Sequence, residues 1–143
     1  KIVTASKMSS FGTEFSIPIR IYIEDTDAGG IVFYANYLKF FERARTEFVR
    51  SIGFELRQSM TKQCNFVVHE AAIKYLASAK LDDELEVYTR VQRLRKTAIV
   101  FDQRALLKGA NKLLVKAQIT VACVDMETGR PRALPEDLQN VLN

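Results

Sequence analysis

The sequence has little of what many hydrolases, secreted proteins and membrane proteins depend on. It holds only two cysteines, Cys64 and Cys123, and one histidine, His69. Two cysteines give no disulfide framework, so we expect a reduced, cytoplasmic protein. No apolar run approaches the roughly 18 residues that a membrane helix needs. Residues 1–15 lack the apolar middle of a signal peptide, so we expect a flexible lead-in before a single domain over residues 16–143.

Familiar catalytic and nucleotide-binding motifs are also missing. The sequence contains no GxSxG elbow, P-loop or GxGxxG phrase. Cys64 and His69 stand five positions apart in or beside one predicted strand, and an odd offset puts them on opposite faces, which excludes a local Cys–His dyad. Cys123 alternates with core positions. A zinc site needs three or four convergent ligands, and two cysteines with one histidine show no ligand spacing, so no zinc site is predicted.

The charge of the chain does not select a partner by itself. The 143 residues have a formal net charge of +4 and 48% hydrophobic content, enough for a real core. A mildly basic surface is the ordinary interpretation. A more specific interpretation of the positive charge is that the protein binds an anionic partner, such as nucleic acid, anionic lipid or a phosphate-bearing cofactor. The chain has no Lys/Arg block and no nucleic-acid motif, so a small nucleic-acid-binding domain is the weakest of these hypotheses.

Hydrophobic periodicity predicts one long helix and five strands. Alternating isoleucines predict a first strand over residues 16–24, with Pro18 marking an edge or strand-start position. A helix is predicted from about Ala35 to Ser51, ended by Gly53. A second, short helix is possible at about Glu55–Lys62. Four more strands are predicted near residues 65–75, 84–94, 98–107 and 112–124. Short polar breaks between the strands indicate antiparallel hairpins.

The long helix has a broad apolar stripe that needs one large partner surface. Its members follow i, i+3, i+4, i+7 spacing and are Tyr34, Tyr37, Leu38, Phe41, Ala44, Phe48 and Ile52. Arg43, Glu47 and Arg50 can pair on the wet side. A curled antiparallel sheet around the helix is the economical α+β arrangement.

The most informative phrase precedes this helix. Asp25-Thr26-Asp27 is followed by Gly29-Gly30 and the helix start. Acids ahead of a helix are commonly caps or turn residues, and a magnesium site on the pair is a second alternative. The third alternative is a catalytic site. The N–H groups at a helix start stabilise a developing negative charge, and the neighbouring carboxylate can serve as nucleophile or base.

Beyond this phrase, several others match one family in the right order. The stretch from Asp25 to Tyr37, DTDAGGIVFYANY, resembles the signature of the hotdog-fold acyl-CoA thioesterases. More narrowly, it resembles the 4-hydroxybenzoyl-CoA thioesterase-like group and its YbgC branch, the Tol–Pal system-associated acyl-CoA thioesterases. Further matches are FERART at 41–46, FVV at 66–68, AKLDD at 79–83, CVD at 123–125 and PRALP at 131–135. The resemblance spans about residues 17–138.

The resemblance implies a hotdog fold, in which a five-stranded antiparallel sheet wraps a long central helix. It implies a homodimer or homotetramer with sites shared at subunit interfaces. Phe40, off the predicted stripe, is then either a subunit contact or a lone exposed aromatic.

The resemblance also assigns roles to residues. Asp27, the second acid, matches the catalytic carboxylate, and Asp25 is expected to support the loop. Tyr34, seven positions later, matches the residue whose backbone N–H polarises the thioester carbonyl. Many members of the YbgC branch have His at this position. Glu42 and Glu47 are a rival location, because another hotdog class uses a helix carboxylate, but pairing with Arg45, Arg43 or Arg50 favours a surface role.

The implied function is hydrolysis of an acyl-CoA to free acid and coenzyme A, with coenzyme A present as part of the substrate and no other cofactor. Arg95, Lys96, Thr97 and Arg132 best match positions that hold its nucleotide end. A solvated hairpin tip is the alternative for these four. Two rival hypotheses stay open: acyl carrier protein replaces coenzyme A as the carrier, or the domain is a non-catalytic hotdog module that binds acyl carrier protein or envelope-assembly partners.

Overall fold

The computed structural model describes residues 14–54 and 64–142. The strands are β1 (Phe15–Arg20), β2 (Cys64–Tyr75), β3 (Glu84–Leu94), β4 (Ala98–Leu107) and β5 (Lys112–Asp125). The helices are α1 (Asn36–Ser51) and α2 (Glu136–Leu142), and Ile23–Asp25 forms one 3₁₀ turn. The predicted helix over 55–62 lies outside the described residues. Within them, no helix is both long enough and apolar enough to cross a membrane.

The five strands form one antiparallel sheet in the order β1-β3-β4-β5-β2. The predicted antiparallel α+β architecture is therefore confirmed. Pro18 lies in β1, which pairs only with β3, so its missing N–H faces away from the ladder at the predicted edge. The core lies between α1 and the concave side of the sheet. Gly53 ends the helix region with a φ of +88°, and its amide donates to the Arg50 carbonyl at 3.0 Å.

Most of the predicted apolar stripe of α1 is buried, but its flank differs from the prediction. Phe40 is only 1% exposed and belongs to the core, whereas Leu38 is 44% exposed and Tyr34 precedes the helix. The prediction that Phe40 is a subunit contact or a lone exposed aromatic is therefore wrong. The buried helix positions are Tyr37, Phe40, Phe41, Ala44, Phe48 and Val49. Tyr37, Phe41, Ala44 and Phe48 belong to both sets, so the 3.6-residue repeat is as predicted, and the core face extends toward Phe40 and Val49 rather than toward Leu38.

The first strand is shorter than its alternation of isoleucines predicts. Ile21 is fully buried, but Ile23 is 73% exposed in the 3₁₀ turn. The Asp25 carboxylate accepts the Tyr22 amide at 2.8 Å, and the Ile23 carbonyl accepts the Thr26 amide at 3.0 Å. These local bonds replace the strand ladder, so β1 ends at Arg20, four residues before the predicted strand end.

The strand register defines two ends of the sheet. The Asp27 end holds the end of β1, the start of β3 and the end of β2: Arg20 pairs with Glu84, and Tyr75 pairs with Val115. The Arg95 end holds the β3–β4 hairpin, the start of β2 and the end of β5. At about 3.3 Å per residue, the ten steps of β3 from Glu84 to Leu94 separate the two ends by roughly 33 Å along the strand.

Candidate active site

The Asp25–Val32 segment folds into a small, tied loop rather than a simple helix cap. The Asp27 amide donates to the Ile31 carbonyl at 2.9 Å, and the Gly30 amide donates to the Asp27 carbonyl at 3.0 Å. Gly30 has a φ of +82°, which glycine adopts without a steric penalty. The Val32 amide donates to the Ala79 carbonyl at 2.9 Å, so the loop is fixed to the segment that follows β2.

Asp25 and Asp27 have different surroundings. Asp25 holds the loop: its carboxylate accepts the Tyr22 amide at 2.8 Å, and its carbonyl accepts the Phe33 amide at 3.0 Å and the Asn36 side chain at 2.8 Å. The predicted supporting role of Asp25 is confirmed.

Asp27 instead presents its carboxylate to solvent. Its Oδ1 accepts the Gly29 amide at 2.8 Å, and in the described part of the chain its Oδ2 has no hydrogen-bond partner. One oxygen thus orients the group while the other is available.

Gly29 explains why the loop has no side chain beside this carboxylate. A Cβ atom at position 29 would lie 3.3 Å from Asp27 Oδ1, tighter than ordinary van der Waals contact. Gly29 has no left-handed φ, so glycine is needed here for close approach and not for backbone conformation. The Gly-Gly pair therefore has two separate causes, a turn at Gly30 and a close contact at Gly29.

Tyr34 lies in the turn between this loop and α1. The helix begins at Asn36, two residues after Tyr34, so Tyr34 precedes the helix rather than opening it. The Asn36 amide donates to the Phe33 carbonyl at 2.9 Å, and no described acceptor takes the Tyr34 amide. An amide without an acceptor just ahead of a helix start is a donor available to an anionic oxygen.

A cleft of about 260 Å³ joins the carboxylate to this turn. Asp27, Tyr34, Tyr37 and Tyr75 line it, together with Ile31, Val32 and residues 76–78. The Tyr75 hydroxyl donates to the Tyr34 carbonyl at 3.1 Å, and the two rings make an edge contact with centroids 6.0 Å apart. The structure therefore brings Asp27 and Tyr34, both predicted site residues, onto one cleft.

Tyr37 and Tyr75 are members of this cleft that the sequence did not assign to it. Tyr37 was predicted only as a core residue, and its hydroxyl accepts the Ala79 amide at 3.4 Å. Burial raises the pKa of Tyr37 and also that of Tyr75, so both phenols keep their protons at neutral pH. Tyr75 is 41 positions from Tyr34. The only sequence signal was an aromatic residue at the end of an alternating strand, which many core strands share.

The four predicted cofactor-binding residues meet at the Arg95 end. Arg95, Lys96 and Thr97 form the tip of the β3–β4 hairpin, and the Thr97 carbonyl accepts the Cys123 amide at 2.8 Å. The Arg132 amide donates to the Cys123 carbonyl at 2.8 Å. The hairpin tip and the Arg132 segment are thus neighbours, tied to the same residue of β5. Both lie at the opposite end of the sheet from Asp27.

One acid is close to this basic group. Asp125 Oδ2 lies 3.7 Å from an Arg132 guanidinium nitrogen. The Thr128 and Glu127 amides, and then Arg132, hold the pKa of the Asp125 carboxyl below its ordinary value. Asp125 is therefore ionised in the neutral range and fixes the turn that precedes Arg132.

The rival candidates do not assemble into a second catalytic group. Cys64 is buried and His69 is exposed, as opposite strand faces predict. Glu47 pairs with Arg50 at 2.6 Å, so the surface interpretation of this helix acid is confirmed. Arg45 does not form the predicted pair with Glu42 and instead donates to Gln103 Oε1 at 2.9 Å. No three His, Cys, Asp or Glu side chains converge within residues 14–54 and 64–142.

Comparisons with known proteins give similarity over almost the whole chain. The family model of the thioesterase-like superfamily matches residues 21–142. The acyl-CoA thioester hydrolase YbgC of Escherichia coli O6:H1 is 44% identical over 126 residues, covering 88% of this chain and 93% of that protein. The acyl-CoA thioesterase YbgC of Haemophilus influenzae is 45% identical over 126 residues, covering 87% and 91%.

Solved structures share the fold. A probable thioesterase from Bartonella henselae has a TM-score of 0.76 at 35% identity, covering 87% of this chain and all of that one. A 1,4-dihydroxy-2-naphthoyl-CoA thioesterase from Synechocystis has a TM-score of 0.85 at 21% identity, covering 91% and 96%. The second likeness concerns the fold alone.

Proposed function

This chain belongs to the thioesterase-like superfamily, and from that premise we propose that it hydrolyses acyl-CoA thioesters at the Asp27 cleft. The prediction that the chain is a thioesterase of this group is confirmed by the family match and the YbgC relatives. The observations that support the site assignment are that Asp27 and Tyr34 line one cleft, and that Asp27 Oδ2 and the Tyr34 amide both lack partners in the described residues.

The Tyr34 amide is the proposed donor to the thioester oxygen. When the carbonyl carbon is attacked, its oxygen becomes negative, and a fixed N–H at a helix start stabilises that charge without reorganising. One good donor of this kind contributes about 3 kcal/mol to transition-state stabilisation. The role belongs to the backbone, so a tyrosine at position 34 performs it as well as a histidine.

Asp27 is the proposed catalytic carboxylate. In one route its free oxygen attacks the carbonyl carbon, the C–S bond breaks, coenzyme A leaves as thiolate, and water hydrolyses the resulting anhydride. In the other, Asp27 takes a proton from the attacking water and the same C–S bond breaks. Both routes need an oriented carboxylate with one free oxygen, which the hydrogen bond from the Gly29 amide to Oδ1 supports.

Tyr75 supports the orientation of the Tyr34 turn. Its hydroxyl holds the Tyr34 carbonyl at 3.1 Å, and that carbonyl otherwise accepts only a long bond, 3.4 Å, from the Tyr37 amide. We infer that Tyr75 is a positioning residue, because it fixes the peptide next to the proposed donor without touching the thioester.

Coenzyme A is proposed to bind with its phosphates at Arg95, Lys96, Thr97 and Arg132. Positive side chains on a hairpin tip suit a phosphate group. Within one subunit, however, this basic group and Asp27 lie at opposite ends of β3, roughly 33 Å apart along the strand. A basic group closer to the cleft would have to come from a second subunit.

The free edge of β2 is where we place that second subunit. β2 is the 12-residue edge strand of the described sheet, and Val67, Val68 and Tyr75 within it are 37%, 54% and 44% exposed. An exposed edge of this length is a template for pairing with another strand. Two copies of β2 related by a two-fold axis run antiparallel, so the Cys64 end of the partner strand lies beside Tyr75.

This arrangement joins the two halves of the proposed site. Because the partner's basic group is tied to its own β5 beside Phe66 and Cys64, the pairing moves it toward the Asp27 cleft. We therefore propose a homodimer as the smallest complete enzyme, with a homotetramer as a dimer of such dimers. Coenzyme A then enters as part of the substrate, and no further cofactor is required.

The test is the change Asp27→Asn, which keeps the shape and removes the charge. We expect thioester hydrolysis to fall by about 10²–10⁴-fold, with unchanged thermal unfolding because the side chain is exposed. Asp82→Asn, an exposed acid in a nearby turn at which Asn also tolerates the φ of +71°, is the matched control and should keep full activity.

The same assay separates the rival functions. Undiminished hydrolysis in the Asp27→Asn variant would show that Asp27 is not the catalytic carboxylate. Binding without turnover across a panel of thioesters in the unaltered protein would favour a non-catalytic module. Comparing one acyl chain on coenzyme A and on acyl carrier protein identifies the carrier.

A further inference from the structure

A second cavity lies away from the Asp27 cleft, between the second half of α1 and the sheet. Its volume is about 240 Å³, just below the roughly 300 Å³ at which drug-sized pockets begin. Its apolar walls come from Val49, Phe66, Ile99, Phe101, Val121 and Leu138. Its polar atoms come from Glu42, Arg45 and Thr46 of α1. We call this cavity the Arg45 pocket.

Arg45 is held in the pocket by a buried network. Its guanidinium donates to Gln103 Oε1 at 2.9 Å. Gln103 is fully buried, and its Nε2 donates to the Phe41 carbonyl at 2.9 Å and to Thr89 Oγ1 at 2.8 Å. Because the amide nitrogen is committed to those two acceptors, the amide oxygen is fixed toward Arg45. The cation is therefore oriented before any ligand arrives.

Arg45 has no acidic partner within residues 14–54 and 64–142. No acidic oxygen of these residues lies within 4.0 Å of its guanidinium, although burial lowers its pKa. A guanidinium has five N–H donors, and among the described residues only Gln103 accepts a hydrogen bond from this one. Arg45 is half-buried, and taking a charge out of water without an acidic partner is costly even in part.

Glu42 is near but does not supply that partner. Its charge raises the pKa of Arg45 slightly, opposing the larger effect of burial. Glu42 is nevertheless exposed at the rim and forms no ion pair with Arg45 among the described residues. A ligand carboxylate at Arg45 would gain charge-assisted hydrogen bonds and would be partly repelled by Glu42.

We propose that the Arg45 pocket binds an unbranched apolar carboxylic acid of short to medium chain length, with its carboxylate on Arg45 and its chain against the apolar walls. Free acid could be that ligand, and this source does not depend on the proposed function. The far carboxylate of a diacid acyl chain still on its carrier is the other source, and it rests on the proposed function.

The first arm is calorimetric titration of the whole protein with octanoate and with octanol. We expect octanoate to bind at least tenfold more tightly than octanol, because charged hydrogen bonds are each about 1.5–3 kcal/mol and 1.4 kcal/mol is tenfold in affinity. Arg45→Met keeps the length without the charge and should abolish that preference. Glu42→Gln should tighten octanoate binding by a few-fold, since it removes the repulsion.

These variants make the outcome decisive. Equal binding of the acid and the alcohol, or octanoate binding that Arg45→Met leaves unchanged, overturns the proposal. Weaker binding in Glu42→Gln does so as well, because it would mean that Glu42 orients Arg45. If Arg45→Met does not fold, Leu138→Trp fills the pocket from α2 and should lower octanoate affinity while Arg45 stays in place.

The second arm compares hydrolysis of suberyl-CoA and octanoyl-CoA. A preference for the diacid ester that Arg45→Met removes assigns the carboxylate to the substrate. No such preference, with octanoate binding that Arg45→Met removes, assigns it to the free acid. If Asp27→Asn leaves hydrolysis intact, the proposed catalytic role of Asp27 is wrong. The calorimetric titrations still show whether the Arg45 pocket binds a carboxylic acid.

Discussion

The Asp27 end and the Arg95 end of the same sheet differ in how they are built and in what they offer a ligand. At the Asp27 end, Asp27 and Tyr34 line one cleft together with Tyr37 and Tyr75. At the Arg95 end the main chain is tied to β5, while basic side chains extend from the hairpin tip. The first end suits bond breaking and the second suits phosphate binding.

The separation of these ends argues for shared sites. An acyl-CoA must place its thioester at one kind of end and its phosphates at the other. The strand length makes that difficult inside one subunit, whereas antiparallel pairing of two β2 edges brings unlike ends together. Each prediction below tests one side of this comparison.

The largest expected effect is complementation between two inactive variants. In a mixture of Asp27→Asn chains with Arg95→Glu/Lys96→Glu chains, half of the dimers are mixed and each mixed dimer has one intact site. We expect activity to return to about a quarter of the wild-type value, against a background near zero for each variant alone. The measurement is kcat/KM for an acyl-CoA after joint refolding. Activity no greater than the mean of the two parents contradicts a shared site.

The next effect concerns the Arg95 end alone. Arg95→Ala/Lys96→Ala should raise KM for acyl-CoA by about 10–100-fold, because two charge contacts to phosphate are lost but both side chains are exposed and therefore screened, and should leave kcat nearly unchanged. A thioester of N-acetylcysteamine, which lacks the phosphates, should be unaffected.

Lys112→Ala/Lys116→Ala, exposed lysines of β5 with the same loss of charge, is the control for this prediction. A similar rise of KM in the control would mean that general surface charge, rather than the hairpin tip, attracts the substrate.

A smaller effect is expected from Tyr75→Phe at the Asp27 end. Removing the bond to the Tyr34 carbonyl should lower kcat by about three- to tenfold, equivalent to roughly 1 kcal/mol. KM and thermal stability should change little, because the ring contacts remain. Tyr88→Phe, whose ring stacks with Arg104 instead, is the control. A change in KM without a change in kcat would assign Tyr75 to substrate binding.

Most of the fold could be predicted because strand and helix periodicities are local. The alternation in β5 and the antiparallel breaks needed only neighbouring residues. The flank of the α1 stripe could not be predicted, since Phe40 and Leu38 are both apolar and only packing against the sheet decides which of them is buried. The end of β1 was missed because the bond between the Asp25 carboxylate and the Tyr22 amide competes with the strand ladder.

The site divides in the same way. Asp27 and Tyr34 were found through one contiguous phrase, whereas Tyr75 reaches Tyr34 across 41 positions, a distance that no local pattern encodes. The Gln103–Arg45 contact spans 58 positions, and the sequence favoured Glu42 as the nearer partner. Long-range polar pairs therefore account for most of what was missed.

The smallest effects come from placing one methyl group at each end. Gly29→Ala should push the Asp27 carboxylate by a few tenths of an ångström, because the new Cβ lies 3.3 Å from Oδ1. A full 1 Å misplacement can lower a rate by about 10²-fold, so we expect a kcat lower by about two- to fivefold. Stability should hold, since Gly29 has no left-handed φ.

Gly129→Ala is the counterpart at the Arg95 end. Gly129 has a φ of +72° and open space around its Cα, so alanine there should lower the free energy of unfolding by about 1–2 kcal/mol and leave kcat unchanged. Urea unfolding and steady-state kinetics are measured on both variants. We expect Gly29→Ala to lower kcat alone and Gly129→Ala to lower the free energy of unfolding alone. If Gly29→Ala lowers stability but not kcat, the exact position of the Asp27 carboxylate has no catalytic importance. The Asp27 end would then respond to an added methyl group in the same way as the Arg95 end.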